Sequence, residues 1–284
     1  MAGGTVTTGH EYVHGYSDSE RTRLVDQATT LTEILHHDTS YPSSSLILEA
    51  GCGVGAQTVT LASRSGGAAI VSMDISAESL AAARQGTRRA ENVMFLQADL
   101  YALPFHPESF DHVFVCFVLE HLARPGEAMT GLKKVLKPGG TMTVIEGDHG
   151  SAYFHPESRP ARRAIQCLID LQARAGGDSL IGRSLYPILI TAGFQDVRVS
   201  PRMVYVDASR PDLVDGFTRK TFTAMVEGVG DRAIASGMID ADTWNRGIRD
   251  LYRTAEADGT FCYTFFKAVA RKSGKQGVGG RPTA

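Results

Sequence analysis

Apolar positions along the chain recur with two alternating spacings. In Glu20 to Leu35 the residues Leu24, Ala28, Leu31 and Leu35 stand three or four apart, which lines them along one helical face. After the turn Tyr41-Pro42-Ser43-Ser44-Ser45, the run Leu46-Ile47-Leu48 is continuously apolar and breaks into glycines, as a buried parallel strand feeding a tight turn does. The same alternation then repeats. It predicts a helix from Gln57 to Arg64, a strand from Ala69 to Met73, a helix from Ala77 to Arg89 capped by Ser76, and a strand from Val93 to Gln97. A strand from His112 to Cys116, a helix from Pro125 to Val135, the turn Lys137-Pro138-Gly139-Gly140 and a strand from Thr141 to Ile145 follow. Strands alternating with helices imply a parallel sheet covered on both sides.

The second half reads differently. Helices are predicted from Arg159 to Ala175 and from Ser184 to Thr191, with Gly193 as a stop before a strand from Asp196 to Tyr205. Thr260 to Ala270 is aromatic and β-branched at its start, which suits a last strand inserted antiparallel between its neighbours, making seven in all. The expected organisation is a helical lid over 1–40, an α/β core over 41–206 with a helical segment near 159–191, and a helical insertion over 207–259 above the substrate cleft. The last strand, 260–271, returns to the core. The tail, 272–284, mixes glycine and charge too evenly to bury surface, and is expected to be flexible.

Composition narrows the function. With 284 residues, 43% of them hydrophobic, the chain is long enough for one large core. A formal net charge of −2 offers no cationic surface for phosphate backbones, so no nucleic-acid partner is expected. No apolar run approaches membrane-spanning length and the N-terminus is polar, so the expectation is a cytoplasmic protein with no membrane partner, monomeric or homodimeric. The four cysteines, Cys52, Cys116, Cys167 and Cys262, form no C-x-x-C pair, and the histidines and acids show no recognised ligand spacing, so no metal is expected.

The densest chemical signal is Glu49-Ala50-Gly51-Cys52-Gly53-Val54-Gly55-Ala56, at the junction of a strand and a helix. Glycines there let the backbone approach a ligand, and the next helix presents its first N–H groups. The turn alone is ambiguous, because Gly51, Gly53 and Ala56 also satisfy the dinucleotide pattern. Asp74 closes the next strand, nineteen positions after Gly55, where a carboxylate can accept both hydroxyls of an adenosine ribose of either cofactor. Glu49 discriminates between them: a carboxylate just before the glycines opposes a pyrophosphate but suits an ammonium and a sulfonium. Asp99, ending the third strand, is placed to meet an adenine amino group, with Ala98 and Leu100 along the ring.

With Glu49–Gly55, Asp74, Gln97-Ala98-Asp99-Leu100, Phe110-Asp111-His112-Val113-Phe114, Leu119-Glu120-His121-Leu122 and Leu136-Lys137-Pro138-Gly139-Gly140, the sequence resembles the class I S-adenosylmethionine-dependent methyltransferases. The resemblance is to their small-molecule branch, which includes the ubiquinone and menaquinone methyltransferases, and it covers roughly residues 40 to 150. It implies a seven-strand Rossmann-like sheet with S-adenosylmethionine as cofactor and S-adenosylhomocysteine as product. It further implies that Glu49, Gly51 and Gly53 surround the methionine part, Asp74 and Ile75 hold the ribose, Asp99 and Leu100 hold adenine, and Cys116 and Phe117 flank the methionine. Tyr12, Tyr16 and Arg21 are similar to an N-terminal lid whose aromatic ring closes over the sulfonium. A cation against a tyrosine ring is favourable by about 0.5 to 2 kcal/mol.

Substrate and catalytic candidates follow the fifth strand, on the side where open α/β sheets bind ligands. Glu146 or Asp148 is expected to hold a cationic substrate group, His149 or His155 to act as a general base, Tyr16 to join them in the catalytic set, and Tyr153 and Tyr263 to contact the substrate as an aromatic wall. Cys52 and Cys116 are expected to be small buried hydrophobes rather than nucleophiles. The expected reaction is in-line methyl transfer to a small molecule, an aromatic or indolic, amine-bearing metabolite of the kind made in secondary metabolism. Two alternatives stay open. A non-methylating S-adenosylmethionine binder keeps every cofactor motif, and an NAD-dependent oxidoreductase shares the glycine turn but lacks a Tyr-x-x-x-Lys pair.

Overall fold

The computed structural model describes residues 18–274. Leu46–Ala50 (β1) is buried from its second residue onward, as its unbroken apolar run requires of a strand covered on both faces. Ala69–Asp74 (β2) and Phe110–Cys116 (β4) flank it in parallel, Val93–Gln97 (β3) lies outside β2, and Leu136–Gly147 (β5) lies outside β4. All five carboxyl ends therefore open on one edge of the sheet. The helices Ala56–Arg64 (α2), Ala77–Gly86 (α3) and Pro125–Val135 (α4) connect these strands. Ser76 caps α3 as expected, its hydroxyl accepting from the Ser79 amide at 3.1 Å. That helix stops at Gly86 rather than Arg89, where the Thr87 hydroxyl turns back to the Ala83 carbonyl.

Thr260–Arg271 (β8) is antiparallel to β5 and to Gln195–Val206 (β7), which places it inside the sheet as its sequence implies. One strand exceeds the expected seven. Tyr153–His155 (β6) pairs with the start of β8, beyond the point where β5 ends. Three residues carry too little alternation to distinguish a strand from a loop. The strand β5 also begins at Leu136, so the expected turn at 137–140 lies within the pairing.

Two layers of helix complete the core. Asp18–His36 (α1) buries Ala28, Leu31 and Leu35 of the predicted stripe and leaves Leu24 half-buried, and each buried leucine contributes about 1.5 to 3 kcal/mol by leaving water. Its far end is held by Lys267, buried in β8, whose ammonium donates to the Leu35 carbonyl, Asp38 and Thr39. Arg159–Arg174 (α5) and Leu185–Thr191 (α6) follow β6. The predicted helical insertion contains Pro211–Leu213 (α7), a π-helical run at Val214–Thr223, and then Ala224–Glu227 (α8), Gly230–Ala235 (α9) and Ala241–Arg253 (α10). The wider π-turn brings positions five apart close to one face. Phe217 and Phe222 consequently both meet Phe261 and Tyr263 of β8, at ring separations of 4.8 to 6.1 Å.

Candidate active site

A cleft of about 550 Å³ opens at the carboxyl ends of β1 to β4 and beneath α1. Glu49, Gly51, Gly53, Asp74, Ile75, Ala98, Asp99, Leu100, Cys116 and Phe117 all line it, and Arg21 borders it from α1. Ten residues proposed from four strand ends thus meet in one space with a residue of α1. Tyr12 and Tyr16 lie outside the described residues.

The turn after β1 is shaped by close approach. Gly51 has a φ of 81°, and a Cβ there would lie 2.5 Å from Val118, whereas a Cβ on Gly53 would meet nothing within 4 Å because it faces the cleft. The first glycine packs the turn against the β4 loop, and the second leaves backbone open to a ligand. Asp74 fixes both partners of this junction: Oδ2 accepts from the Gly53 amide at 2.8 Å and Oδ1 from the Ser76 amide at 2.9 Å. Asp99 is oriented in the same way by the Tyr101 amide, at 2.8 Å. Ile75 stays 62% exposed while lining the cleft, and Gln97 steadies it by donating to its carbonyl. An exposed apolar side chain between two such carboxylates suits the face of a purine.

Glu49 is only half satisfied. Its Oε2 accepts from Thr58 at 2.7 Å and Ser72 at 2.5 Å, while Oε1 is buried with no partner. Burial raises its pKa to about 7 against the pull of Ser72 and Thr58, and Asp74 adds to the rise. A buried carboxylate oxygen lacking a donor at the end of a cleft calls for a cation with N–H groups. The residues therefore fit the ammonium, ribose and adenine of S-adenosylmethionine. A pyrophosphate would add charge of the wrong sign beside Glu49.

Phe117 has a φ of 57°, a left-handed conformation that a bulky residue adopts only when its surroundings enforce it. Its amide donates to the Ile145 carbonyl at 2.9 Å, and its ring lies 5.4 Å from that of Phe265. Glu146 holds the next step of the loop. Its Oε1 accepts from the Val118 and Leu119 amides at 3.0 and 2.8 Å, and burial, with the charge of Glu120, pushes its pKa well above the usual range. Glu146 was expected to meet substrate. It is instead fully buried and shapes the cleft wall from behind.

The other candidates after β5 also lie off this cleft. Asp148 is buried in a bidentate pair with Arg183, at 2.6 and 2.7 Å. His149 is buried with Nδ1 2.7 Å from the Tyr263 hydroxyl, and burial lowers its pKa. Tyr153 and His155 sit on β6, where both are exposed. The chain leaves β5, turns along β8 and carries these two side chains away from the strand ends. Burial raises the thiol pKa values of Cys52 and Cys116, so both stay protonated. Leu24, Gln27, His121 and Gln172 also line the cleft and were not expected there. His121 follows directly from the Leu119–Leu122 motif, but Gln172 has no signal beyond its place on α5.

Comparison with known proteins agrees with this geometry. Residues 48–144 match a family model described as a methyltransferase domain. The chain carries a class I S-adenosylmethionine-dependent methyltransferase domain. An uncharacterized methyltransferase of Schizosaccharomyces pombe is 31% identical over 185 residues, 61% of this chain and 63% of that protein. A demethylmenaquinone methyltransferase of Tropheryma whipplei is 34% identical over 110 residues, 39% of this chain and 45% of that one. The chain spans about half the length of the curated relatives it matches. Among solved structures, the [4+2]-cyclase SpnF superposes with a TM-score of 0.52 at 20% identity, covering 88% of this chain and 81% of its own, a likeness of fold. The methyltransferase domain holds all the cleft residues carried on β1 to β4. Among the described residues, no helix is long and apolar enough to cross a membrane, and no three metal-ligating side chains cluster.

Proposed function

We propose that the chain transfers a methyl group from S-adenosylmethionine to a small molecule. The observation that carries this reading is the set of carboxylates at three successive strand ends, Glu49, Asp74 and Asp99, all facing one cleft, with Glu49 Oε1 lacking a donor. Bound there, S-adenosylmethionine supplies an electrophilic methyl on its sulfonium. Glu49 orients the ammonium, Asp74 the ribose and Asp99 the adenine. The lid helix α1, through Arg21, Leu24 and Gln27, excludes water and confines the acceptor.

In-line displacement asks the protein chiefly for alignment, because the cofactor carries the reactive group. Phe117 and Val118, held by Ile145 and Glu146, fix the wall where the acceptor approaches. The proposed transfer assigns no general base, since His149 lies buried off this cleft against the Tyr263 hydroxyl. The acceptor class favoured by the apolar wall and the neighbouring acids is a flat, aromatic or indolic molecule bearing an amine. No nucleic-acid partner is proposed, and a cytoplasmic monomer or homodimer remains the proposed setting.

Methyl-tritiated S-adenosylmethionine incubated with a panel of arylamines, indoles, phenols and aliphatic acids tests this reading. Label in an aromatic amine or indole supports it. Label in aliphatic acids alone refutes the acceptor class, and S-adenosylmethionine binding without any transfer favours the non-methylating alternative.

A further inference from the structure

The wall beyond the cofactor-facing residues contains one buried polar atom with nothing to bind. Gln172, on α5, is 1% exposed and lines the cleft, and its Oε1 has no hydrogen-bond partner. Its Nε2 is occupied: it donates to the Glu120 carbonyl at 3.1 Å and to Glu120 Oε2 at 3.3 Å. This pairing fixes the orientation of the amide. Rotating it by half a turn would set a carbonyl oxygen against two acceptors, so Oε1 is the end left without a partner.

The surrounding backbone holds the amide in place. The Gly177 amide donates to the Gln172 carbonyl at 3.0 Å and that of Asp178 to the Glu120 carbonyl at 2.8 Å, joining the end of α5 to the loop after β4. A Cβ on Gly177 would lie 2.3 Å from the Glu120 carbonyl oxygen, so the two segments touch through bare backbone. Glu120 also places a carboxylate behind the amide, which polarises it and makes Oε1 a stronger acceptor.

We propose that Gln172 is a specificity-determining residue that accepts a hydrogen bond from an O–H or N–H group of the methyl acceptor. This rests on the methyl-transfer reading and adds to it a requirement the strand-end motifs do not contain. Oε1 is already shielded from water, and the carbonyl is satisfied only if the substrate brings a donor. Acceptors without one leave it buried and unpaired. Gln172 positions substrate and takes no part in bond making.

The experiment uses the full chain saturated with S-adenosylhomocysteine and two isosteric probe pairs, indole against benzofuran and phenol against fluorobenzene, titrated by calorimetry. The expected result is that each donor probe binds about fivefold more tightly than its partner, as one neutral hydrogen bond allows. In Gln172→Met, which keeps the side chain's length, the ratio falls to about one while S-adenosylhomocysteine affinity stays within about twofold. An unchanged ratio in Gln172→Met overturns the proposal. So does a wild-type protein that shows no preference, or binds neither donor probe at millimolar concentration. Failure of S-adenosylhomocysteine itself to bind is a separate result, which refutes the methyl-transfer reading and this inference with it.

Discussion

The Oδ2 atom of Asp74 accepts a 2.8 Å hydrogen bond from the Gly53 amide, so the carboxylate ending β2 and the glycine turn ending β1 form one unit. A ligand that meets the turn also meets the acid, already oriented. Asp74→Asn keeps the size of the side chain but replaces one acceptor oxygen with a donor facing either the Gly53 amide or the ribose. S-adenosylhomocysteine affinity should fall about 10- to 100-fold, the range for hydrogen bonds to a charged group. Calorimetry checks this, and circular dichroism should show an unchanged fold.

Glu49 makes cofactor binding depend on pH. Its carboxyl titrates near 7 in the folded chain and near 4.5 in the ordinary state, so folding favours the protonated form. The stability this contributes is fully present below about 4.5 and is lost as pH rises through about 7. An ammonium ligand needs the ionised form, so affinity runs the other way. S-adenosylhomocysteine should bind roughly tenfold more tightly at pH 8 than at pH 6, with proton release. Titrations in buffers of different ionisation enthalpy read the released proton, and Glu49→Gln should flatten the profile.

His36 gives the opposite dependence on stability. It is buried against Phe114, with Nε2 2.8 Å from Gln57 Oε1, and burial lowers its pKa from 6.5 to about 4. The folded chain therefore prefers the neutral ring. Its contribution is fully present above 6.5 and is lost as pH falls through about 4, a change of order 3 kcal/mol. Urea unfolding at pH 7 and pH 4.5 should show this loss, reduced in His36→Gln.

Asp38 anchors the end of α1 through Lys267. Burial pushes its carboxyl up, but hydrogen bonds from Lys267 and Arg202 outweigh this and hold the pKa at about 2. Asp38→Ala leaves the Lys267 ammonium buried on its two remaining acceptors. The cost should be about 2 kcal/mol, below that of a fully buried pair because Asp38 is itself half exposed. Hydrogen exchange should quicken in the last turns of α1 more than in β1.

The parts of the site that the sequence made legible are those whose chemistry is tied to a strand end. Glu49 and Asp74 each close a run that is apolar because it is buried, and Asp99 follows the partly exposed β3, so the same pattern that predicts each strand also locates its acid. Gln172 stands in the last turn of an amphipathic helix, and only the loop that Glu120 brings alongside gives it meaning. The residues after β5 were misplaced for a related reason. Adjacency to a strand end suggested the cleft for Tyr153 and His155, yet β6 pairs with the start of β8 and carries them outward. Glu146 and Asp148 are drawn inward by the backbone amides of Val118 and Leu119 and by Arg183, partners distant in sequence.

The methyl-donor reading of the cleft is tested by paired calorimetric titrations with S-adenosylhomocysteine and with NADH at pH 8. It predicts saturable one-to-one binding of S-adenosylhomocysteine, weakened in both Asp74→Asn and Glu49→Gln, and no saturable heat with NADH. Binding of NADH without S-adenosylhomocysteine, or S-adenosylhomocysteine binding indifferent to both substitutions, would contradict it.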